Sequence, residues 1–252
     1  MSELCVRMDP LNPGQFFACC GLLELIDLDE PDAVGRFELD DGRPRVAEFI
    51  VDCSVRLEKV LSRLSSAKPD FEETFKEASV CPATIPYGDG HFVLDWWLDE
   101  FRDKTVKLKC WAGQVTTRNL FCDLLPMIDG SGSAEDVFER ARMSKSKFGV
   151  DPRSAWSALN FGFSPNEHGS DAATFPAVEI LAAIGLQGFR PDAQRRSGVS
   201  YSVWLEPLPA VVARQAFRAP WSGLPHRKFA FSIAKRGQSY KYFTFGKEIR
   251  DQ

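Results

Sequence analysis

The side chains able to break a bond or hold a cation are few and scattered along this chain. His91, His168 and His226 stand far apart with no second ligand at metal-binding spacing, and no CxxC pair accompanies them. Neither a zinc centre nor a histidine-bound metal is therefore expected. Ser144-Lys145-Ser146-Lys147 contains the SxxK spacing of serine–lysine hydrolases without any of their companion motifs. The glycines of Asp129-Gly130-Ser131-Gly132-Ser133 lack the lysine and the helix that would make them a phosphate cradle. Asp95, Asp99 and Glu100 could offer carboxylates to magnesium, which keeps a metal-dependent nuclease open, although such clusters are common on solvated faces. No cofactor is implied.

Cations give a clearer signal. The formal net charge of −4 conceals a division, since residues 1–100 carry 9 Lys/Arg against 21 Asp/Glu and residues 101–252 carry 22 against 14. From Leu186 to Gln252 there are 12 basic and 4 acidic residues. Such asymmetry points to nucleic acid or an acidic partner, or else to two halves of one fold that attract each other. Within the tail, Arg190, Arg195, Arg196, Arg227, Lys228, Lys235, Arg236 and Lys241 alternate with Phe189, Tyr201, Phe229, Phe231, Tyr240, Tyr242 and Phe243. Basic side chains neutralise phosphates and aromatic ones stack on bases, though strand alternation turns about half of these rings into a core. Arg195-Arg196 and Lys235-Arg236 are expected in loops, free to reach a partner.

The elements that must carry these residues mix helices with mainly antiparallel strands and show no βαβ regularity, so the expected class is α+β. Glu3–Met8 alternates as a strand, and Arg36–Leu39 with Arg45–Val51 reads as a hairpin about Asp40-Asp41-Gly42. Ser54 is placed to cap a half-exposed helix over Val55–Leu64, and Pro82–Gly90 reads as a connection before a strand from His91. Val106–Trp111 alternates as a strand with Lys107 and Lys109 on one face, Gln114–Ile128 reads as a helix, and the glycine-serine loop after it caps another over Ala134–Arg142. Met143–Pro152 has little periodicity and reads as a mobile stretch. The tail returns to strands at Val199–Leu205, Arg227–Ala234 and Ser239–Phe245, the last two forming a hairpin about Lys235–Gln238.

Two helices echo each other. Asn12-Pro13-Gly14-Gln15-Phe16-Phe17-Ala18-Cys19-Cys20-Gly21-Leu22-Leu23-Glu24-Leu25 matches Phe175-Pro176-Ala177-Val178-Glu179-Ile180-Leu181-Ala182-Ala183-Ile184-Gly185-Leu186 in pattern, each with proline in the first turn and an internal run of small residues. Asn12 and Thr174 are placed to cap them. A glycine inside a helix costs about 1 kcal/mol relative to alanine, so Gly21 and Gly185 imply close backbone approach to a neighbour. The echo is either an ancient duplication, giving two related halves, or two core helices that look alike. The charge division suggests an acidic half over 1–130 and a basic half over 131–252, or a single domain. No apolar run approaches the ~20 residues of a membrane span, and seven cysteines, two of them adjacent on an apolar helix, fit reduced thiols in a cytoplasm.

The opening Asn12–Leu25 segment, together with Phe161-Gly-Phe-Ser-Pro-Asn-Glu167 and Pro176-Ala-Val-Glu-Ile-Leu-Ala-Ala-Ile-Gly-Leu-Gln-Gly-Phe-Arg-Pro191, resembles the small accessory proteins of subtype I-U (I-G) CRISPR–Cas loci, the third Csb family. The resemblance spans both ends of the chain and implies a non-catalytic subunit of a Cascade-type surveillance complex. Its partners would be the other effector subunits and guide RNA or target DNA, with a separate helicase-nuclease doing the cutting. The segments are structural, and no catalytic residue carries over with them. A structural adaptor whose basic face meets acidic protein is the remaining alternative.

Overall fold

The computed structural model describes residues 3–72, 75, 77–99, 104–131, 133–155, 172–191, 198–236 and 240–249. The chain is α+β, as its sequence pattern implies, with small antiparallel sheets packed around a central pair of helices. β1 (Glu3–Met8), β2 (Val34–Leu39) and β3 (Ala47–Asp52) form a sheet in the order β1-β3-β2. The hairpin about Asp40–Gly42 sets its register, Leu39 opposite Ala47, and Asp40 accepts the Gly42 and Arg43 amides in the turn. β4 (Asp70–Phe71), β5 (Ala83–Tyr87) and β6 (Gly90–Leu94) form a second sheet, so the segment expected as a connection over Pro82–Gly90 is mostly a strand. The short pairs β7 (Leu98–Asp99) with β8 (Lys104–Thr105), and β9 (Arg142–Ser144) with β10 (Ala172–Thr174), lie between this sheet and the tail in sequence. β11 (Val199–Trp204) and β15 (Lys247–Ile249) flank β12 (His226–Phe231), while β13 (Ile233–Arg236) and β14 (Tyr240–Phe243) make a separate hairpin.

The helices are α1 (Pro13–Asp29), α2 (Leu57–Ser66), α3 (Thr117–Leu124), α4 (Pro176–Gly188) and α5 (Ala210–Arg218). α1 and α4 are the echoing pair, and they pack on each other. A Cβ on Gly21 would run into the Leu181 carbonyl oxygen and stand 2.9 Å from the Gly185 nitrogen. A Cβ on Gly185 would run into the Phe17 carbonyl oxygen and stand 2.8 Å from the Gly21 nitrogen. Each glycine thus faces the carbonyl one turn before the other glycine, a reciprocal contact of the kind made by two-fold-related helices. At this separation there is room only for hydrogen on both Cα atoms. The offset that aligns Gly21 with Gly185 also aligns Gln15 with Glu179, each a buried polar side chain in an apolar helix.

Gln15 accepts the Asp9 amide (2.6 Å) and donates to Glu139 (3.2 Å), whereas Glu179 meets the segment 144–154. Most of that segment belongs to the stretch Met143–Pro152 that the sequence pattern suggests is mobile, yet it is buried at Ser144, Ser146, Lys147, Phe148, Val150, Asp151 and Ser154. Its signal was invisible because it is held by polar contacts rather than by a periodic apolar stripe. Glu179 accepts the amides of Gly149 (3.0 Å) and Asp151 (3.4 Å), and Asn12, whose Oδ1 caps α1 through the Gln15 amide, donates from Nδ2 to Asp151 (3.0 Å). Arg153 binds Asp151 and Glu139 and lies 3.6 Å from the Phe175 ring centroid. Burial, and then the Asp151 charge, push the Glu179 carboxyl up to about 7.

Other local expectations give way for identifiable reasons. Thr174 does not cap α4, which starts after Phe175 without a side-chain cap. Ser54 donates its hydroxyl to Glu30 instead of capping α2, so that helix starts two residues later than expected. Val106–Trp111 is not a strand: Lys109 turns inward to donate to the Trp111 carbonyl (3.0 Å), and Trp111 donates to Ser79 (2.7 Å). Ala134–Arg142 folds as a single tight turn over Val137–Glu139 leading into β9.

Alanine at Gly21 or Gly185 should lower unfolding free energy by about 1–3 kcal/mol despite alanine's higher helix propensity, because the methyl group meets backbone that cannot step aside. Urea titrations of both variants measure this, and unchanged midpoints would show the helix contact to be incidental. The Glu179 carboxyl titrates higher in the folded chain than its ordinary 4.5. The stability carried by its protonated form is therefore complete below about 4.5 and lost as pH rises through about 7. Glu179→Gln should remove this dependence. Its stability relative to the parent should rise by up to about 3 kcal/mol from about pH 5 to about pH 8, as denaturant titration across that range would reveal.

Candidate nucleic-acid interface

Alternation along β12 divides the tail cations. Arg227, Phe229 and Phe231 share one face, and Lys228 and Ala230 the other. The first face is core: Tyr201 stacks on Phe16 (centroids 4.5 Å apart) and Phe229 (5.6 Å), and its hydroxyl donates to the Pro10 carbonyl (2.6 Å). Phe189, Tyr201, Phe229, Phe231 and Phe243 are all buried, so five of the rings considered for base stacking are packing residues. Arg227, at the margin of this face, donates to Glu248 (2.6 and 2.7 Å) and to Asp41 (2.8 Å). Its charge is already matched by two carboxylates.

Lys228 stands on the opposite face, in register with Ser202 on β11 and Ile249 on β15, next to the row of Ser200, Ala230 and Lys247. With Pro191, Gly198 and the end of α5 (Phe217, Arg218, then Pro220), these residues line a groove of about 400 Å³. Gly198 enters it with φ +79°, and a Cβ there would stand 2.8 Å from the Phe231 carbonyl oxygen, so only glycine fits. Among the described residues the lining includes two cations, Lys228 and Arg218, two serines and no carboxylate. Neither cation has an ion-pair partner among the described residues, whereas Arg36, Arg63, Arg153, Arg214 and Arg227 each bind at least one carboxylate.

Lys235 and Arg236 lie on β13 rather than in a loop, because the strand expected over Arg227–Ala234 breaks at Ser232 and its second part pairs with β14. Lys235 is directly opposite Lys241, an unfavourable like-charge cross-strand pair. The Lys241 amide donates to the Cys110 carbonyl (3.1 Å), which brings the hairpin against the buried Lys109. Burial, with Lys241 adding to it, lowers the Lys109 ammonium below the usual lysine range. Arg190 follows the end of α4 and is half-buried, and Arg195 and Arg196 lie outside the described residues. Part of the charge division is spent inside the fold, since Arg214 binds Glu24 and Arg227 binds Asp41 across the two halves.

The Asp95 carboxylate accepts from Gln187 (3.0 Å), whose own oxygen accepts the Asp95 and Trp96 amides, and Glu100 lies outside the described residues. Among the described residues no three His, Cys, Asp or Glu side chains gather as a cation's ligands, and no helix is long and apolar enough to cross a membrane. Comparison of the chain with protein-family models, curated proteins and solved structures finds no match.

Sequence reasoning missed Arg218, Ser200 and Ser202. A usable signal was present, because alternation in Val199–Trp204 sends Tyr201 and Val203 to one face and the serines to the other, where Ser200 is exposed and Ser202 buried. The two neighbouring cations of β12 should separate experimentally. Arg227→Glu sets a third carboxylate against Asp41 and Glu248 and should cost at least about 1 kcal/mol, whereas Lys228→Glu should stay within about 0.5 kcal/mol of the parent. Thermal unfolding of the two variants side by side is the measurement.

Proposed function

We propose that this protein is a cytoplasmic, non-catalytic subunit of a type I CRISPR surveillance complex of subtype I-U (I-G), contributing to guide RNA or target DNA binding in antiviral defence. Two of the segments that carry the resemblance, Asn12–Leu25 and Pro176–Pro191, contain the helices that build the core. The observation that carries the nucleic-acid part is the sorting of the tail cations. Lys228, Lys235 and Lys241 have no carboxylate partner among the described residues, unlike Arg227, and two of them oppose each other on one hairpin. Like charges held together are stabilised by an anion, and a phosphate backbone supplies anions at regular spacing. In such assemblies base pairing reads the sequence while protein subunits grip the backbone. The acidic half, with 21 carboxylates against 9 cations in residues 1–100, is left to dock on basic neighbours.

The test uses the assembled particle. Lys235→Glu/Lys241→Glu, with or without Arg195→Glu/Arg196→Glu, should leave the subunit folded and incorporated but weaken binding of RNA or DNA. The logarithmic salt slope should shrink by roughly 0.7–0.9 for each phosphate that is no longer neutralised. Failure of assembly with nucleic-acid binding by the residual complex untouched would give the face to a protein partner. Magnesium-dependent cleavage by the isolated chain that disappears in Asp95→Ala would replace the whole reading with a nuclease.

A further inference from the structure

We infer that the groove between the outer face of the β11–β12–β15 sheet and the end of α5 seats single-stranded nucleic acid, with Lys228 and Arg218 on its phosphates. This rests on the proposed role in nucleic-acid binding and adds a site to it. Three observations carry the assignment. The groove is walled by Lys228 and Arg218, and among the described residues neither is ion-paired and no carboxylate lines it. Its floor is made of small side chains, Ser200, Ser202 and Ala230, which lets a bulky anion approach the sheet while the exposed Ser200 hydroxyl remains able to donate to a phosphate or sugar oxygen. Its volume, about 400 Å³, is at the scale of small-ligand sites and suits a nucleotide-sized unit rather than a duplex.

A fourth feature decides between a single strand and an acidic protein segment. Trp221 follows the groove's Pro220 in the chain and is 45% exposed, whereas Trp96, Trp97, Trp111 and Trp204 are buried. An exposed indole one residue along the chain from the groove wall offers a face on which an unpaired base can stack, and every base has such a face. A glutamate-rich peptide would use the cations and leave the indole idle. A duplex buries its base faces and leaves it idle as well.

The test measures fluorescence anisotropy of labelled ten-nucleotide oligouridine and oligothymidine, and of a duplex of the same length, against the full chain at low ionic strength. Single strands should bind more tightly than the duplex. Arg218→Glu/Lys228→Glu should weaken single-strand binding at least tenfold and reduce the logarithmic salt slope by about 1.4, the value for two single-strand phosphate contacts. Trp221→Ala should weaken it about tenfold with the salt slope unchanged, a separation that a purely electrostatic surface would not produce. Circular dichroism and melting of each variant confirm that the fold is kept.

Binding by the groove double variant at the parent's affinity, while Lys235→Glu/Lys241→Glu abolishes it, would overturn the groove and leave the proposed function standing. Absence of single-strand binding by the parent chain would overturn the groove as a site of this chain, and the assembled particle would then decide the proposed function on its own. Equal competition by a polyglutamate peptide would assign the groove to an acidic protein. Equal competition by uridine monophosphate at the same nucleotide concentration would make it a free-nucleotide site, which also overturns the strand reading.

Discussion

Everything in this fold is arranged around the point where α1 and α4 touch backbone to backbone. Two helices that meet through Gly21 and Gly185 bring their axes closer than side-chain-separated helices can, and both become buried nearly all round. A helix that is apolar on every side must be enclosed by other elements. The surrounding sheets do this: Phe16 and Phe17 of α1 reach Phe37, Tyr201, Trp204, Phe217 and Phe231, so strands from both ends of the chain share one aromatic core. The position of β11 and β12, and hence of the groove on their outer face, follows from the thinness of the helix pair beneath them.

The cost of such a dry centre appears at the N-terminal ends of the same helices. Gln15, Glu179 and Asp151 are polar groups in the interior, and each is held by specific partners because a buried polar group without one costs several times what a hydrogen bond contributes. Gly14 is part of this arrangement, for a Cβ there would lie 2.7 Å from the Val150 carbonyl oxygen. Segment 144–154 is thus the clasp that joins the start of one helix to the start of the other. Its proton-dependent member, Glu179, makes the clasp more secure in mildly acidic conditions than in alkaline ones.

What could be read from the sequence was whatever has a period or a cap. α1 with its Asn12 cap, the β2–β3 hairpin and the close approach at Gly21 and Gly185 all follow from local pattern. What could not be read depended on partners distant in the chain. Lys109 looked like the solvent face of a strand, yet its stem is buried and its charge rests against the Trp111 carbonyl and ring. Arg227 and Lys228 are neighbours in a basic stretch, and only the pairing of β12 with β15 shows that Glu248 has claimed one and left the other. Charge counts locate an excess of cations but cannot say which are already satisfied. For that reason the groove's Arg218 and Trp221, outside any basic run, escaped notice.

The helix pair also governs when this protein can begin to exist. α1 leaves the ribosome long before α4, yet the surface it was built to meet begins only at Pro176. Contacts so far apart in sequence form slowly, and a nascent chain holds exposed whatever it cannot yet bury. While the intervening segments are made, this strongly apolar helix can pack on β1 and β2 but lacks its main partner, and a truncated product ending before α4 would never acquire it. Shielding the uncovered side of α1 during that interval is the demand that this topology places on the chain's synthesis.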